Sequence, residues 1–282
     1  MIKMLVLDID GTIYSDEKGM SERVKSHIKL LKKSGIKVVI ATGRMFSSAL
    51  KIINPLEIDT PLICFQGSLI KDIKTQKVMY EIPLDGKIAR EIIKDLRKEK
   101  VSINIYRDEE LIVEKESEYI KDYSQSKKVG YTLVKNFDEI EFKTLNKILA
   151  IDLNPNKINK LIKDLRKKYS PKVYVVKSMP QYCEISNIQA TKGNAVRFLA
   201  NKWGIKKEEI MAAGDNDNDI EMLLAAGIKI AMGNGTDELK KVADFVTDTV
   251  DNDGIVKAIE KFINIEGLIW NTESDKDMTS TV

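Results

Sequence analysis

The stretch Met4-Leu-Val-Leu-Asp8-Ile-Asp10-Gly11-Thr12 decides how the rest of the chain is read. Leu5 to Leu7 form an unbroken apolar run, the pattern of a strand buried on both faces, and the run ends in two carboxylates, a glycine and a threonine. Bringing a carboxylate towards an apolar interior is costly unless a cation or hydrogen bonds meet it. Two of them two residues apart therefore point to a metal or a reacting electrophile. A plainer reading is a turn in which Asp10 bonds its own backbone and Gly11 takes a positive φ. The short motif alone leaves both open.

Working outward, Val24, Ile28 and Leu31 recur at helical spacing between Ser21, a capping residue, and Gly35. Lys37 to Ala41 is a second apolar strand, followed by Thr42-Gly43-Arg44 and a helical pattern from Phe46 to Ile53. Strand, helix, strand predicts a parallel pair. Asp8, Asp10 and Thr42 then fall just past the carboxyl ends of neighbouring strands, where open α/β sheets bind ligands. Pro61 to Phe65 reads as a third strand ending at Gln66-Gly67, and Leu69 to Ile82 as a hairpin with a polar turn.

At about Pro83 the texture changes. Helical patterns over 84–98 and 156–168 alternate with strands at 101–106, 111–114, 149–153, 173–176 and 182–185, which predicts a separate α+β layer. Residues 117–142 carry no clear pattern. The doubly wound texture returns with a helix from Lys192 to Trp203, a strand at Ile210 to Ala213, and further strands and helices to Ile263.

At 282 residues the chain has room for two cores, and a net charge of +3, with basic residues scattered along amphipathic segments, is a solvated surface and not a nucleic-acid footprint. No run spans a bilayer, Met1-Ile-Lys-Met leads straight into the first strand, and Cys64 and Cys183 sit among apolar neighbours as reduced thiols would. A cytoplasmic protein without membrane or nucleic-acid partners is expected. His27 is the only histidine, and it lies on a helix surface, so mechanisms that need an imidazole are disfavoured.

A second carboxylate cluster, Gly214-Asp215-Asn-Asp217-Asn218-Asp219, follows the strand at 210–213. A calcium loop of EF-hand type fails, because its glycine position holds Ile220 and its glutamate position Ala226. Lys192 alone would be an ordinary surface lysine. Its place at a helix start, just after the inserted layer, is what raises it.

Asp8-x-Asp10-Gly-Thr, Ala41-Thr42-Gly43-Arg44, Lys192-Gly193 and Gly214-Asp215-x-x-Asn218-Asp219, in this order, resemble the four motifs of the haloacid dehalogenase (HAD) superfamily. Ala231-Met-Gly-Asn234 and Asn252-Asp253-Gly254 are similar to the Cof-type branch, which carries a large C2-type α/β cap between the second and third motifs. The resemblance implies an α/β fold with a doubly wound, Rossmann-like, mostly parallel core at 1–82 and 189–270, an α+β cap at 83–188 and a polar tail at 271–282. The Cof-type loop usually has Asn-Gly where this chain has Gln66-Gly67. The longer side chain stands where the pocket floor would meet the cap or the substrate.

What the resemblance implies is a phosphatase acting on small phosphorylated metabolites, sugar phosphates among them, with Mg²⁺ held by Asp8, Asp215 and the backbone carbonyl of Asp10. Asp8 would be the nucleophile and Asp10 the acid and then the base. Thr42, Gly43, Lys192 and Asn218 would bind the phosphoryl group, with Asp219 orienting Lys192 or water around the metal. A phosphomutase or phosphotransferase on the same fold, and a non-catalytic metabolite binder, are the alternatives. An acid at Asp10 favours phosphoryl transfer, because superfamily dehalogenases lack one there. Met179, Gln181 and Tyr182 lie near the return from the cap, where they could face the pocket, with packing the simpler reading for Met179 and Tyr182.

Overall fold

The computed structural model describes residues 1–127, 129–265 and 267; the expected tail at 271–282 lies outside them. The chain opens with β1 (Met4–Leu7), α1 (Glu22–Lys33), β2 (Lys37–Ile40), α2 (Phe46–Ile53), β3 (Leu62–Cys64), β4 (Leu69–Lys71) and β5 (Val78–Glu81). It continues through α3 (Gly86–Lys98), β6 (Ser102–Arg107), β7 (Glu110–Val113), α4 (Glu118–Lys127), β8 (Thr132–Leu133), β9 (Leu145–Ile151), α5 (Pro155–Tyr169), β10 (Val173–Val176) and β11 (Tyr182–Asn187). It closes with α6 (Lys192–Trp203), β12 (Ile210–Gly214), α7 (Ile220–Leu224), β13 (Ile228–Ala231), α8 (Asp237–Val242), β14 (Phe245–Val246) and α9 (Gly254–Phe262).

β14, β13, β12, β1 and β2 form one all-parallel sheet in that order. β1 lies between β12 and β2, so both of its edges are paired and all four residues are buried. Burying each aliphatic side chain contributes about 1.5–3 kcal/mol. A buried ion costs several kcal/mol, so β1 is able to carry Asp8 inward only if something meets the charge. α1 forms because Ser21 accepts from the Val24 amide at its start and Val24, Ile28 and Leu31 turn inward together, and it packs against α9.

The third strand read over Pro61 to Phe65 is present as β3. β3 belongs to a separate antiparallel sheet with β4 and β5, and it joins the parallel sheet through a bridge between Ala41 and Ile63, where the Thr42 amide bonds the Ile63 carbonyl at 2.9 Å. The chain leaves β3 through two left-handed residues, Phe65 (φ 49°) and Gln66 (φ 60°), which turn it back as the hairpin partner β4.

The inserted segment builds its own sheet, ordered β10-β11-β9-β6-β7-β8, antiparallel except for the β7–β8 pair. Alternation sends its side chains two ways. Ile105, Ile148 and Cys183 pack beneath α3 and α5, whereas Tyr106 and Leu149 join the cluster that contains β1 and β2. The strand expected at 149–153 starts at Leu145. Asn146 and Lys147, which no sequence pattern assigned, are buried in the middle of the sheet, where Asn146 donates to Glu81 at 3.2 Å and Lys147 pairs with Glu184. α4 went unread because, among its described side chains, only Ile120 and Tyr123 are buried.

Candidate active site

β1 delivers Asp8 to the carboxyl edge of the parallel sheet, and the chain then turns at Gly11 (φ 81°), whose amide bonds the Tyr14 carbonyl at 2.9 Å. A Cβ at Gly11 would lie 2.4 Å from Oδ2 of Asp215. The positive φ that the plainer reading gave Gly11 is therefore present, and it leaves the space that the Asp215 carboxylate fills. Asp215 stands at the end of β12, the strand beside β1, and accepts weakly from Thr12 Oγ1 at 3.4 Å.

α6 starts with Thr191 as its cap, accepting from the Asn194 amide at 3.1 Å. Gly193 lies so close to α7 that a Cβ would be 2.1 Å from the Glu221 carbonyl oxygen, and this close packing seats Lys192 under the end of β1. Lys192 Nζ donates to Asp8 Oδ1 at 2.5 Å and to Asp219 Oδ1 at 2.6 Å, with the lysine and Asp219 side chains both fully enclosed. The other oxygen of Asp219 accepts from the amides of Asp215 and Asn216 at 3.0 and 3.1 Å. Lys192, expected as a phosphate ligand, sits below the pocket floor and reaches it through Asp8. A buried ammonium has to spend its charge on paired carboxylates.

The electrostatics follow from that burial. Desolvation pushes the Asp8 carboxyl up to about 7, with Lys192 opposing and Asp219 and Asp10 adding to the rise. Asp215 is driven well above the ordinary carboxylate range by burial, then by Asp8 and Asp219. Desolvation works against the charge of Lys192, but Asp219 and Asp8 outweigh it and hold the ammonium protonated. Oxygens of Asp8, Asp215 and Asp219 lie within 4.8 Å of one another. Both oxygens of Asp219 are already engaged, which leaves Asp8 and Asp215 as the donors for a cation. An all-oxygen set with surplus negative charge fits a hard divalent ion such as Mg²⁺.

Above this cluster is a cavity of about 270 Å³. The parallel core contributes Asp8, Asp10, Thr42, Gly43, Asp215 and Asn218, and the inserted segment contributes Tyr123 from α4, Met179 from the β10–β11 connection, and Lys147, Tyr182 and Glu184 from its sheet. Met179 and Tyr182, read as packing residues, face the cavity after all; Gln181 is not part of its lining. Thr42 accepts from the Arg44 amide at 3.2 Å, which shapes the loop after β2. Asn218 donates to Gln66 Oε1 at 3.0 Å. Asp10 is engaged by Arg44, whose Nε donates to Oδ2 at 2.7 Å while Nη2 donates to Oδ1.

Arg44, Lys147, Glu184 and Tyr123 were not singled out from the sequence. Arg44 stood in plain view beside Thr42 and Gly43. Lys147 and Glu184 have no local signal, since each looks like an ordinary charged residue until the sheet buries it. His27 bonds the Arg23 carbonyl and Glu260 on the α1 surface, away from the cavity. No helix among the described residues is long and apolar enough to cross a membrane, and both cysteines are free and buried.

Residues 5–259 match the model of the haloacid dehalogenase-like hydrolases. YxeH of Bacillus subtilis strain 168 is 31% identical over 274 residues, a match covering 93% of this chain and 99% of that protein. The crystal structure of TM0651 from Thermotoga maritima superposes with a TM-score of 0.79 at 32% identity, covering 93% and 98% of the two chains. BT4131, described as a HAD subclass IIB sugar phosphatase, superposes with a TM-score of 0.81 at 25% identity, covering 93% and 99%. With its parallel core, its inserted α+β sheet and the acidic cluster at their junction, the chain is an enzyme of the haloacid dehalogenase-like hydrolase family.

Proposed function

We propose that this enzyme is a Mg²⁺-dependent cytoplasmic phosphatase of small phosphorylated metabolites, sugar phosphates among them, working through an aspartyl-phosphate on Asp8. The observation that carries the reading is the buried Lys192, bonded at once to Asp8 and Asp219 beneath a cavity that Asp8, Asp10 and Asp215 line. Bound between Asp8, Asp215 and the Asp10 carbonyl, Mg²⁺ would offset the repulsion between a carboxylate and a phosphate dianion.

The chain's own residues then divide the work. An Asp8 oxygen attacks phosphorus as the ester P–O bond breaks, and Asp10 gives its proton to the departing alkoxide. Asp10 next takes a proton from a water that attacks the phosphorus, which releases inorganic phosphate and frees Asp8. Thr42, Gly43 and Asn218 hold phosphoryl oxygens, while Lys192, through Asp8 and with Asp219 as its anchor, balances the charge. The segment 83–188 serves as a cap that excludes water and meets the leaving group.

The test is turnover of p-nitrophenyl phosphate with Mg²⁺, with inorganic phosphate accumulating one for one with p-nitrophenol. A phosphotransferase would instead pass phosphate to an added alcohol. Asp8→Asn should lower turnover by several orders of magnitude in a folded protein. An Asp8→Asn variant that keeps most of its activity would overturn the assignment.

A further inference from the structure

Two charged side chains of the inserted sheet are buried against the cavity, and the steps above do not use them. Lys147 on β9 and Glu184 on β11 are 2% and 5% exposed and pair at 2.8 Å. Lys147 also donates to the Gly43 carbonyl at 2.8 Å, crossing from the inserted sheet to the loop after β2. Its ammonium lies 4.8 Å from the centre of the Tyr106 ring, which faces it from β6. Glu184 accepts from Ser178 and lies beside the Gln66 amide: Gln66 Nε2 and Glu184 Oε1 come within 2.5 and 3.5 Å of the point a Gly43 Cβ would occupy. Burial opposes the charge on Glu184, but Lys147, with Ser178 and Gln66, holds the carboxylate below its usual range. From the far side, Gln66 Oε1 accepts from Asn218 Nδ2 at 3.0 Å, and Asn218 Oδ1 is buried with no partner among the described residues. Gln66 is thus what orients the Asn218 amide.

We propose that Lys147 and Glu184 are positioning residues for the phosphoryl site, fixing the Gly43 loop directly and Asn218 through Gln66 while the inserted sheet is seated on the core. This rests on the reading of Gly43 and Asn218 as phosphate ligands. Gln66 suits the role by its length: an asparagine there would be one methylene shorter and could not keep Asn218 and Glu184 together.

The test is the affinity of the full chain for inorganic phosphate in the presence of Mg²⁺, measured by titration calorimetry, which requires no turnover. Lys147→Met/Glu184→Gln removes both charges and leaves no buried ion unpaired, and Gln66→Asn shortens the bridge without touching a charge. Each should weaken phosphate binding by about tenfold with thermal unfolding near that of the unaltered protein. If the double variant does not fold, Gln66→Asn alone decides. Unchanged affinity in the folded variants, or no phosphate binding by the unaltered protein, overturns the inference. Ester hydrolysis by the unaltered protein alongside unchanged affinity in the variants overturns the positioning role and leaves the phosphatase reading standing.

Discussion

Arg44 grips the Asp10 carboxylate with two nitrogens, Nε on one oxygen and Nη2 on the other, from a position that is itself buried. A planar fork fixes both the place and the plane of a carboxylate, which a lysine ammonium does not. Arg44→Lys should therefore misplace Asp10 and lower kcat by roughly ten- to a hundredfold for alkyl phosphates, whose leaving groups need a proton. p-Nitrophenolate leaves without that help, so its ester should suffer much less. Equal losses on the two substrates would show that Arg44 does not act through Asp10.

Lys192 is enclosed between Asp8 and Asp219. Removing its charge leaves two buried carboxylates facing each other. Lys192→Met should destabilise the fold by about 3–5 kcal/mol, since the loss of one partner strands the other's charge. Denaturant unfolding measures this directly. A change below about 1 kcal/mol, the scale of a surface pair, would contradict the burial argument.

Gly11 combines a φ of 81° with an Asp215 oxygen 2.4 Å from where a Cβ would stand. Gly11→Ala must strain the turn or displace Asp215. A cost of about 1–3 kcal/mol is expected from the backbone alone. Displacing Asp215 should also shrink the rise in Tm produced by Mg²⁺, because a ligand stabilises by mass action with the logarithm of its concentration over its Kd. Thermal unfolding with and without Mg²⁺ separates the two effects, and an undiminished Mg²⁺ response would overturn the expectation that the alanine displaces a metal-binding Asp215.

Asp95 on α3 accepts from Lys168, from Tyr169 Oη at 2.6 Å and from Lys98 at 3.2 Å. Burial favours its neutral form, but Lys168, Tyr169 and Lys98 outweigh this and bring its pKa down to about 2, from 3.8. A carboxyl with a depressed folded pKa adds stability above its unfolded value, and that contribution is lost as pH falls from about 4 towards 2. Asp95→Asn should lower Tm at pH 7, with the gap narrowing through that window. A gap of constant size from pH 7 to pH 2 would show that the Asp95 charge is not the cause.

The residues at the floor of the cavity were legible because they sit where short local rules apply. An apolar run that stops at Asp8, a lysine that opens a helix and a polar cluster after β12 are each readable over a few residues, and the parallel order of β1 and β2 follows from the helix between them. The departure at Gln66 was visible as well. Its consequence was not, since the bonding of its amide depends on Asn218 and Glu184, more than a hundred residues away.

The sequence by itself determined the parallel core, the place of the insertion and the set of carboxylates at the strand ends. Local periodicity and the cost of ending a buried strand in charge are enough for that. Only the tertiary structure decided that Lys192 lies under the floor, that Arg44 holds Asp10, and that Lys147 and Glu184 cross from the inserted sheet to the core. A charged side chain looks the same in sequence whether water or a partner meets it. Which one does is settled when distant elements pack and remove the water.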